Sequence, residues 1–261
     1  MPDEPTSIDL NADVGEASDD AGVAVERALL GVVTTAHIAC GGHAGDEISM
    51  RTTTLAALSN GVGVGAHPSY PDREGFGRRP MDITPRHLSS ALASQIGALI
   101  DVAASCATTV QSIKPHGALY NEVARGTAAY DALLAVMLEL CGPEVMLVLP
   151  SGSPAVTMAK EAGVRVLREG FADRAYLSNG ELASRREPGA VYNEPSQAAT
   201  QALGLVRDGT VTSREGTVLV LPVDTLCIHG DSPNAPGLAR AVCDVLAAAG
   251  IAALAPSAGG L

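Results

Sequence analysis

Tryptophan is absent from the 261-residue chain and aromatic residues make up only 3% of it. The core must therefore be assembled from Ala, Val, Leu and Ile. Lysine occurs only as Lys114 and Lys160, and the formal net charge is −12. With no basic run and no aromatic platform, that balance argues against nucleic acid and anionic membrane surfaces as partners. No apolar run approaches the roughly 20 residues a membrane-spanning helix needs. Met1 to Ser7 is acidic and proline-containing, which excludes a secretory signal there. Cys40, Cys106, Cys141, Cys227 and Cys243 are odd in number and lack C-x-x-C spacing. They are expected as thiols in a reducing, cytoplasmic setting. No G-x-G-x-x-G follows the first strand, no phosphate loop precedes Lys160, and no G-x-S-x-G elbow occurs. A standard dinucleotide site, a standard ATP loop and a serine hydrolase are all disfavoured.

What remains is an alternating pattern. With 46% hydrophobic residues and no linker or charge block, residues 1–261 are expected to form one domain. Seven short apolar runs predict strands: Ile8–Asp13, Thr34–Cys40, Val62–His67, Val110–His116, Val145–Pro150, Val164–Glu169 and Thr225–Asp231. Between them, helical spacing and capping residues predict helices over Val23–Leu30, Glu47–Asn60, Thr84–Leu99, Thr127–Leu140, Pro154–Ala162, Glu194–Val206 and Pro236–Ala249. Such alternation implies βα repeats with a parallel sheet. The expected fold is α/β, a (β/α) barrel of seven or eight units, with Gly216–Val220 or Ala190–Tyr192 as the doubtful eighth strand. The alternating glycines of Gly61-Val-Gly-Val-Gly65 suggest close backbone approach within a strand.

Six of the seven runs end in ionisable side chains, and five of the six histidines lie at such ends. Parallel β/α folds collect the carboxyl ends of their strands on one face, where sites are built. Strand parity puts Asp9, Asn11 and Asp13 on one side, Lys114 and His116 on one side, and Cys227, His229 and Asp231 on one side. Lys114 could bind a carboxylate or oxyanion, act as a base if burial lowers its pKa, or form an ordinary salt bridge. Asp13, His43 and His67 could ligate a divalent ion, although the same residue types serve proton transfer equally. The loop Gly65–Arg79 carries Arg73, Arg78 and Arg79, where a bidentate clamp on a carboxylate or phosphate is feasible. His87, in the first turn of a helix, reads as an exposed surface residue, and Cys40 and Cys227 as small buried hydrophobes.

The blocks Asp9-Leu-Asn-Ala-Asp-Val-Gly-Glu16, Ala39-Cys-Gly-Gly-His-Ala-Gly-Asp46, Gly65–Arg79, Lys114-Pro-His-Gly-Ala-Leu-Tyr-Asn121, Glu169-Gly-Phe-Ala-Asp-Arg-Ala-Tyr176 and Cys227-Ile-His-Gly-Asp231 resemble the LamB/YcsF family. They run in order through nearly the whole chain. The resemblance implies a barrel related to the glycoside hydrolase/deacetylase superfamily. It also implies ATP-dependent opening of 5-oxo-L-proline to L-glutamate (a 5-oxoprolinase reaction) together with two partner subunits, B and C. ATP would be a co-substrate, with a partner subunit as one place for its site, and a divalent metal is a further option. In that setting the candidate catalytic residues are Asp13, His43, His67, Lys114 and His116. Asn11, His37, Arg73, Glu169, Arg174 and His229 are the candidate substrate-binding residues. Three positions depart from the family pattern: Ser69 replaces a usual glycine, Glu47 a frequent proline, and Gly42 a bulkier residue. A metal-dependent amide or sugar deacetylase, and a lactam-binding subunit without catalysis of its own, are the competing readings.

Overall fold

The computed structural model describes residues 6–230, 232 and 234–256; Asp231, one of the strand-end acids, lies outside them. Six parallel strands follow one another around a barrel: β1 (Ser7–Val14), β2 (Thr35–Ala39), β3 (Gly63–His67), β4 (Ser112–Ile113), β5 (Met146–Pro150) and β6 (Val166–Phe171). The chain then leaves the barrel to form an antiparallel hairpin, β7 (Thr210–Thr212) with β8 (Val218–Val220). It returns as β9 (Thr225–Cys227), which pairs with β6 on one side and β1 on the other. That double pairing closes a seven-stranded parallel barrel. The eighth strand expected at Gly216–Val220 is therefore the outer hairpin instead, and Ala190–Tyr192 contributes only a bridge from Val191 to Arg174. Over the span where β9 pairs with both β6 and β1, no edge is left into which another strand could insert. A short β10 (Ala252–Ala253) pairs with the start of β1, below the point where β9 joins.

Helices cover the outside. α1 (Asp20–Leu30), α2 (Glu47–Ser59), α3 (Pro85–Ser105) and α5 (Ala128–Cys141) open on the side-chain caps Asp19, Asp46, Thr84 and Thr127, each satisfying amide N–H groups that have no partner within the helix. α6 (Pro154–Glu161), α7 (Pro195–Leu203) and α8 (Ala235–Ala248) carry proline in the first turn, where the missing N–H costs nothing. One helix was not legible. α4 (Gly117–Ala124) starts directly after the β4 segment, and Ala118, Leu119, Tyr120, Val123 and Ala124 are all buried. A short helix wetted on few sides shows little amphipathic stripe. α3 has no unbroken apolar run, yet by length and composition alone it is apolar enough to cross a membrane. Here it is an outer-layer helix whose Leu88, Leu92, Ile96 and Leu99 are turned inward and buried.

Strand parity sorts the side chains. Leu10, Ala12 and Val14 of β1, Ile38 of β2 and Val64 and Ala66 of β3 belong to the main apolar core, which includes the inner faces of the helices. A small separate cluster of Met146, Val148 and Leu167 provides apolar packing from β5 and β6. Buried polar side chains occupy alternate positions of the strands, among them Asp9 and Asn11 of β1, Thr35 and His37 of β2, Ser112 of β4, Glu169 of β6 and Thr225 of β9, and lead to the ionisable groups below. β3 can approach β2 and β4 so closely because a Cβ at Gly65 would collide with the His37 ring and lie 2.6 Å from Ser112 Oγ. Of the three alternating glycines only Gly65 makes room for a site residue: Gly63 faces Gln111, and Gly61 lies before the strand with open space around it.

Candidate active site

Two polar clusters share the barrel's carboxyl end. The first is centred on Lys114, whose Nζ lies 2.9 Å from Asp13 Oδ1, 2.8 Å from Glu169 Oε1, 3.1 Å from Asn11 Oδ1 and 3.2 Å from Cys227 Sγ. Asn11 Nδ2 in turn donates to Glu169 Oε1 and Thr225 Oγ1, and the Tyr120 hydroxyl donates to Glu169 Oε2. The lysine arrives here because residues 110–116 lie beside β3 over their whole length, the amides of Gln111, Lys114 and His116 donating to carbonyls of Val64, Ala66 and Pro68. Pro115 falls where no N–H is needed. Burial opposes the charge on Lys114, but Asp13, Cys227 and Glu169 outweigh it and raise its pKa well above the usual lysine value. The same burial works against ionised Asp13, yet His67, Lys114, His229 and His37 hold its carboxyl well below the carboxylate range. Lys114 is thus a fixed cation rather than a base.

The second cluster brings Glu16, His43, His67 and His116 together. Glu16 Oε1 lies 2.8 Å from His43 Nε2 and 3.2 Å from His116 Nδ1, while His67 Nε2 is 3.0 Å from His116 Nδ1. The His43 and His116 rings stack with centroids 3.7 Å apart. His67 bridges the two clusters, its Nε2 being 3.5 Å from Asp13 Oδ2. Burial pushes the His67 pKa down to about 3, against the pull of Asp13. Burial also opposes ionisation of Glu16, but contacts from His116 and His43 and the nearby His67 outweigh it and keep its carboxyl below the usual range. Glu16 is a residue that strand parity misses: β1 ends at Val14, and a turn through Gly15, φ +75°, swings Glu16 back over the barrel. Its place with Asn11 and Asp13 in the ionisable tail of the first apolar run was the signal for it in the sequence.

His229 stands at the rim with its Nδ1 3.0 Å from Asp173, and its backbone amide donates to the same carboxylate. Burial raises the Asp173 pKa, but His229 more than offsets this and the net shift is downward. Both residues stand in strand-end tails of the sequence, but their pairing, like the entry of Tyr120, comes from loop and helix geometry that parity does not reach. Deeper down, His37 links Asn11 Oδ1 at 3.2 Å to Ser112 Oγ at 3.1 Å.

Two expected contributors lie apart from these clusters. Arg73 donates to the carbonyls of Gly41 and Gly45, bracing the loop that carries His43. Arg174 is buried with its guanidinium on the carbonyls of Ala183 and Ala190, so it ties down the excursion between β6 and β9. In the same loop as Arg73, Arg78 lies over the Phe76 ring and Arg79 is largely exposed near Asp72. The metal-ligand trio of Asp13, His43 and His67 is also regrouped. Asp13 is turned toward Lys114, and Glu16 and His116 complete the histidine cluster in its place.

The LamB/YcsF family profile matches residues 8–259. The chain belongs to the LamB/YcsF family. A relative from Methylococcus capsulatus, named as the A subunit of 5-oxoprolinase, is 46% identical over 245 residues, covering 94% of each chain. A lactam utilization protein from Thermus thermophilus superposes with a TM-score of 0.87 at 37% identity, over 96% of this chain and 100% of that one. A family 4 carbohydrate esterase from Streptomyces lividans, at 12% identity, matches with a TM-score of 0.50 over 97% and 93% of the two chains. That last likeness concerns the fold. Two of the positions singled out in the sequence meet in space. A Cβ at Gly42 would run into the Ser69 hydroxyl and the Gln95 amide, so the missing side chain at position 42 leaves the room that these two groups fill. Gln95 locks the arrangement by bonding both the N–H and the C=O of Ser69.

Proposed function

We propose that this chain is the A subunit of an ATP-dependent 5-oxoprolinase, opening 5-oxo-L-proline to L-glutamate with partner subunits B and C. The observation that carries the reading is the convergence of a fixed cation, an ionised carboxylate and an aspartate-oriented histidine at one barrel mouth, in a chain nearly half identical to a protein of that name. A five-membered lactam is resonance-stabilised and hardly strained, so its carbonyl is a poor electrophile and the ring recloses readily. Transfer of the γ-phosphoryl group of ATP to the amide oxygen removes that protection and releases ADP. Water then adds to the ring carbon. Protonation of the nitrogen with C–N cleavage leaves an acyl phosphate, and a second water releases phosphate and glutamate.

Asp13 is the proposed base for the attacking water, with Lys114 keeping it ionised and stabilising the developing negative charge. His229, oriented by Asp173, is the proposed donor to the ring nitrogen, and His43, His67 and His116 complete the catalytic wall. Asn11, His37 and Glu169 position the lysine cage beneath the substrate, while Arg73 and Arg174 shape the loops above it. The partial exposure of Asp13, Glu16 and His229 side chains, 12%, 13% and 16%, makes them the groups that can meet a small ligand. ATP is assigned to a site involving a partner subunit, because the sequence has no phosphate loop. A reducing cytoplasmic location is supported by the free state of all five cysteines.

The test is glutamate release from 5-oxoproline by the chain alone and with subunits B and C, each with and without ATP. Release is expected only from the complete set with ATP. Turnover without ATP, or none from the reconstituted complex, would overturn the assignment.

A further inference from the structure

We infer that Glu16, His43, His67 and His116 form a binding site for one divalent first-row transition cation, of which zinc is the natural probe. The argument begins with the outer nitrogens of two rings. His67 Nδ1 lies 2.7 Å from the Lys114 carbonyl and His116 Nε2 lies 2.9 Å from the Phe76 carbonyl. A carbonyl oxygen only accepts, so each of these nitrogens must carry its proton. In the neutral rings the remaining nitrogens, His67 Nε2 and His116 Nδ1, then bear lone pairs, and these face each other at 3.0 Å. Two acceptors at that distance repel unless a cation or a proton lies between them.

The other donors point the same way. Glu16 Oε1 is 2.8, 3.2 and 3.6 Å from the inner nitrogens of His43, His116 and His67. Ligands about 2.0–2.1 Å from a tetrahedral ion stand roughly 3.3–3.4 Å apart, so these three separations and the 3.0 Å between His67 and His116 bracket that spacing, and all four ligand atoms lie within 4.8 Å of one another. His43 presents Nε2 to Glu16, and with that nitrogen as a ligand its proton sits on Nδ1, which is buried without a partner, so His43 is the ligand held least firmly from behind. Three imidazoles and a carboxylate, with the ring protons of His67 and His116 held by backbone carbonyls, suit zinc-like ions. The Asp13, Cys227 and His229 group is equally convergent, but the Lys114 ammonium already lies between Asp13 and Cys227.

This inference stands on ligand geometry rather than on the lactam reading, and its test measures no turnover. The chain is stripped with a chelator, then titrated with Zn2+ by calorimetry and with Co2+ followed by visible absorption. Expected are one equivalent of Zn2+, a raised unfolding midpoint in its presence, and Co2+ bands of a four-coordinate site. His116→Ala and Glu16→Gln should each weaken Zn2+ binding by about 10-fold or more, whereas exposed His87→Ala should not. Should His116→Ala fail to fold, the near-isosteric Glu16→Gln supplies the same reading. Absence of bound Zn2+, as a proton shared between His67 and His116 would give, overturns the site. So does Zn2+ binding that both cluster variants leave unchanged.

Discussion

Replacing Lys114 by methionine shortens the side chain by only one atom and removes the one positive charge on which the Lys114 cluster is built. In the native protein its ammonium lies 2.9 Å from Asp13 and 2.8 Å from Glu169, with side-chain exposures of 3%, 12% and 0% for the three groups. Methionine strands two carboxylates in a poorly solvated cage. Breaking a buried ion pair by deleting one partner costs about 3–5 kcal/mol. For a chain of this size, that is a fall in unfolding midpoint of roughly 6–20 °C. The cost should be partly reversible, because most of it is uncompensated negative charge. Adding Glu169→Gln to Lys114→Met removes one stranded charge while keeping acceptor and donor sites for Asn11 and Tyr120. The double variant should therefore be more stable than the sum of the two single effects by at least about 1 kcal/mol. Thermal or urea unfolding of the four proteins measures this directly. A native midpoint for Lys114→Met, or additivity within about 0.5 kcal/mol, would refute the charge-cage reasoning. Glutamate release by the complex should also be lost in Lys114→Met.

Asp173→Asn should leave the fold intact and lower turnover by a factor on the order of 10^2–10^4, since the backbone N–H of His229 claims the amide oxygen and the NH2 group then meets Nδ1, reversing the tautomer; unchanged kcat would remove His229 from proton transfer. Burial raises the Asp9 pKa despite hydrogen bonds from Thr225, Thr35 and Thr34. Because the folded value lies above the unfolded one, its contribution is fully present below the unfolded pKa of about 3.9 and is lost as pH rises through the folded value. Asp9→Asn should accordingly flatten the decline in stability over that interval, seen in unfolding midpoints at a series of pH values, and an unaltered pH slope would contradict it. Gly42→Ala alone should destabilise by about 1–3 kcal/mol through overpacking, whereas Gly42→Ala with Ser69→Gly should recover part of the loss; equal midpoints for the single and double variants would show that the two positions are not coupled.

The sequence by itself determined the repeating architecture and most of the site's membership. Period-two runs with period-helical segments between them dictated a parallel barrel, and β1 to β6 and β9 all fall within the seven apolar runs or extend them by a residue or two. Strand parity put Asn11, Asp13, Lys114 and His116 on the inward rows because side-chain direction along a strand is a local property. Parity ends where the strand ends. Glu16 and Asp173 stand in the ionisable tails of the first and sixth runs, but which groups they meet depends on loop geometry past the strand ends, and Tyr120 on the unforeseen α4 had no local signal at all. Arg73 and Arg174 show the converse: a guanidinium is a suitable clamp for a carboxylate, but nearby carbonyl groups engage both of them first. Tertiary structure alone decided how the charges divide. Lys114 claims Asp13, and the histidines turn to Glu16, because in a narrow barrel each buried charge must find its counterpart within about 3 Å or lose more to desolvation than it gains.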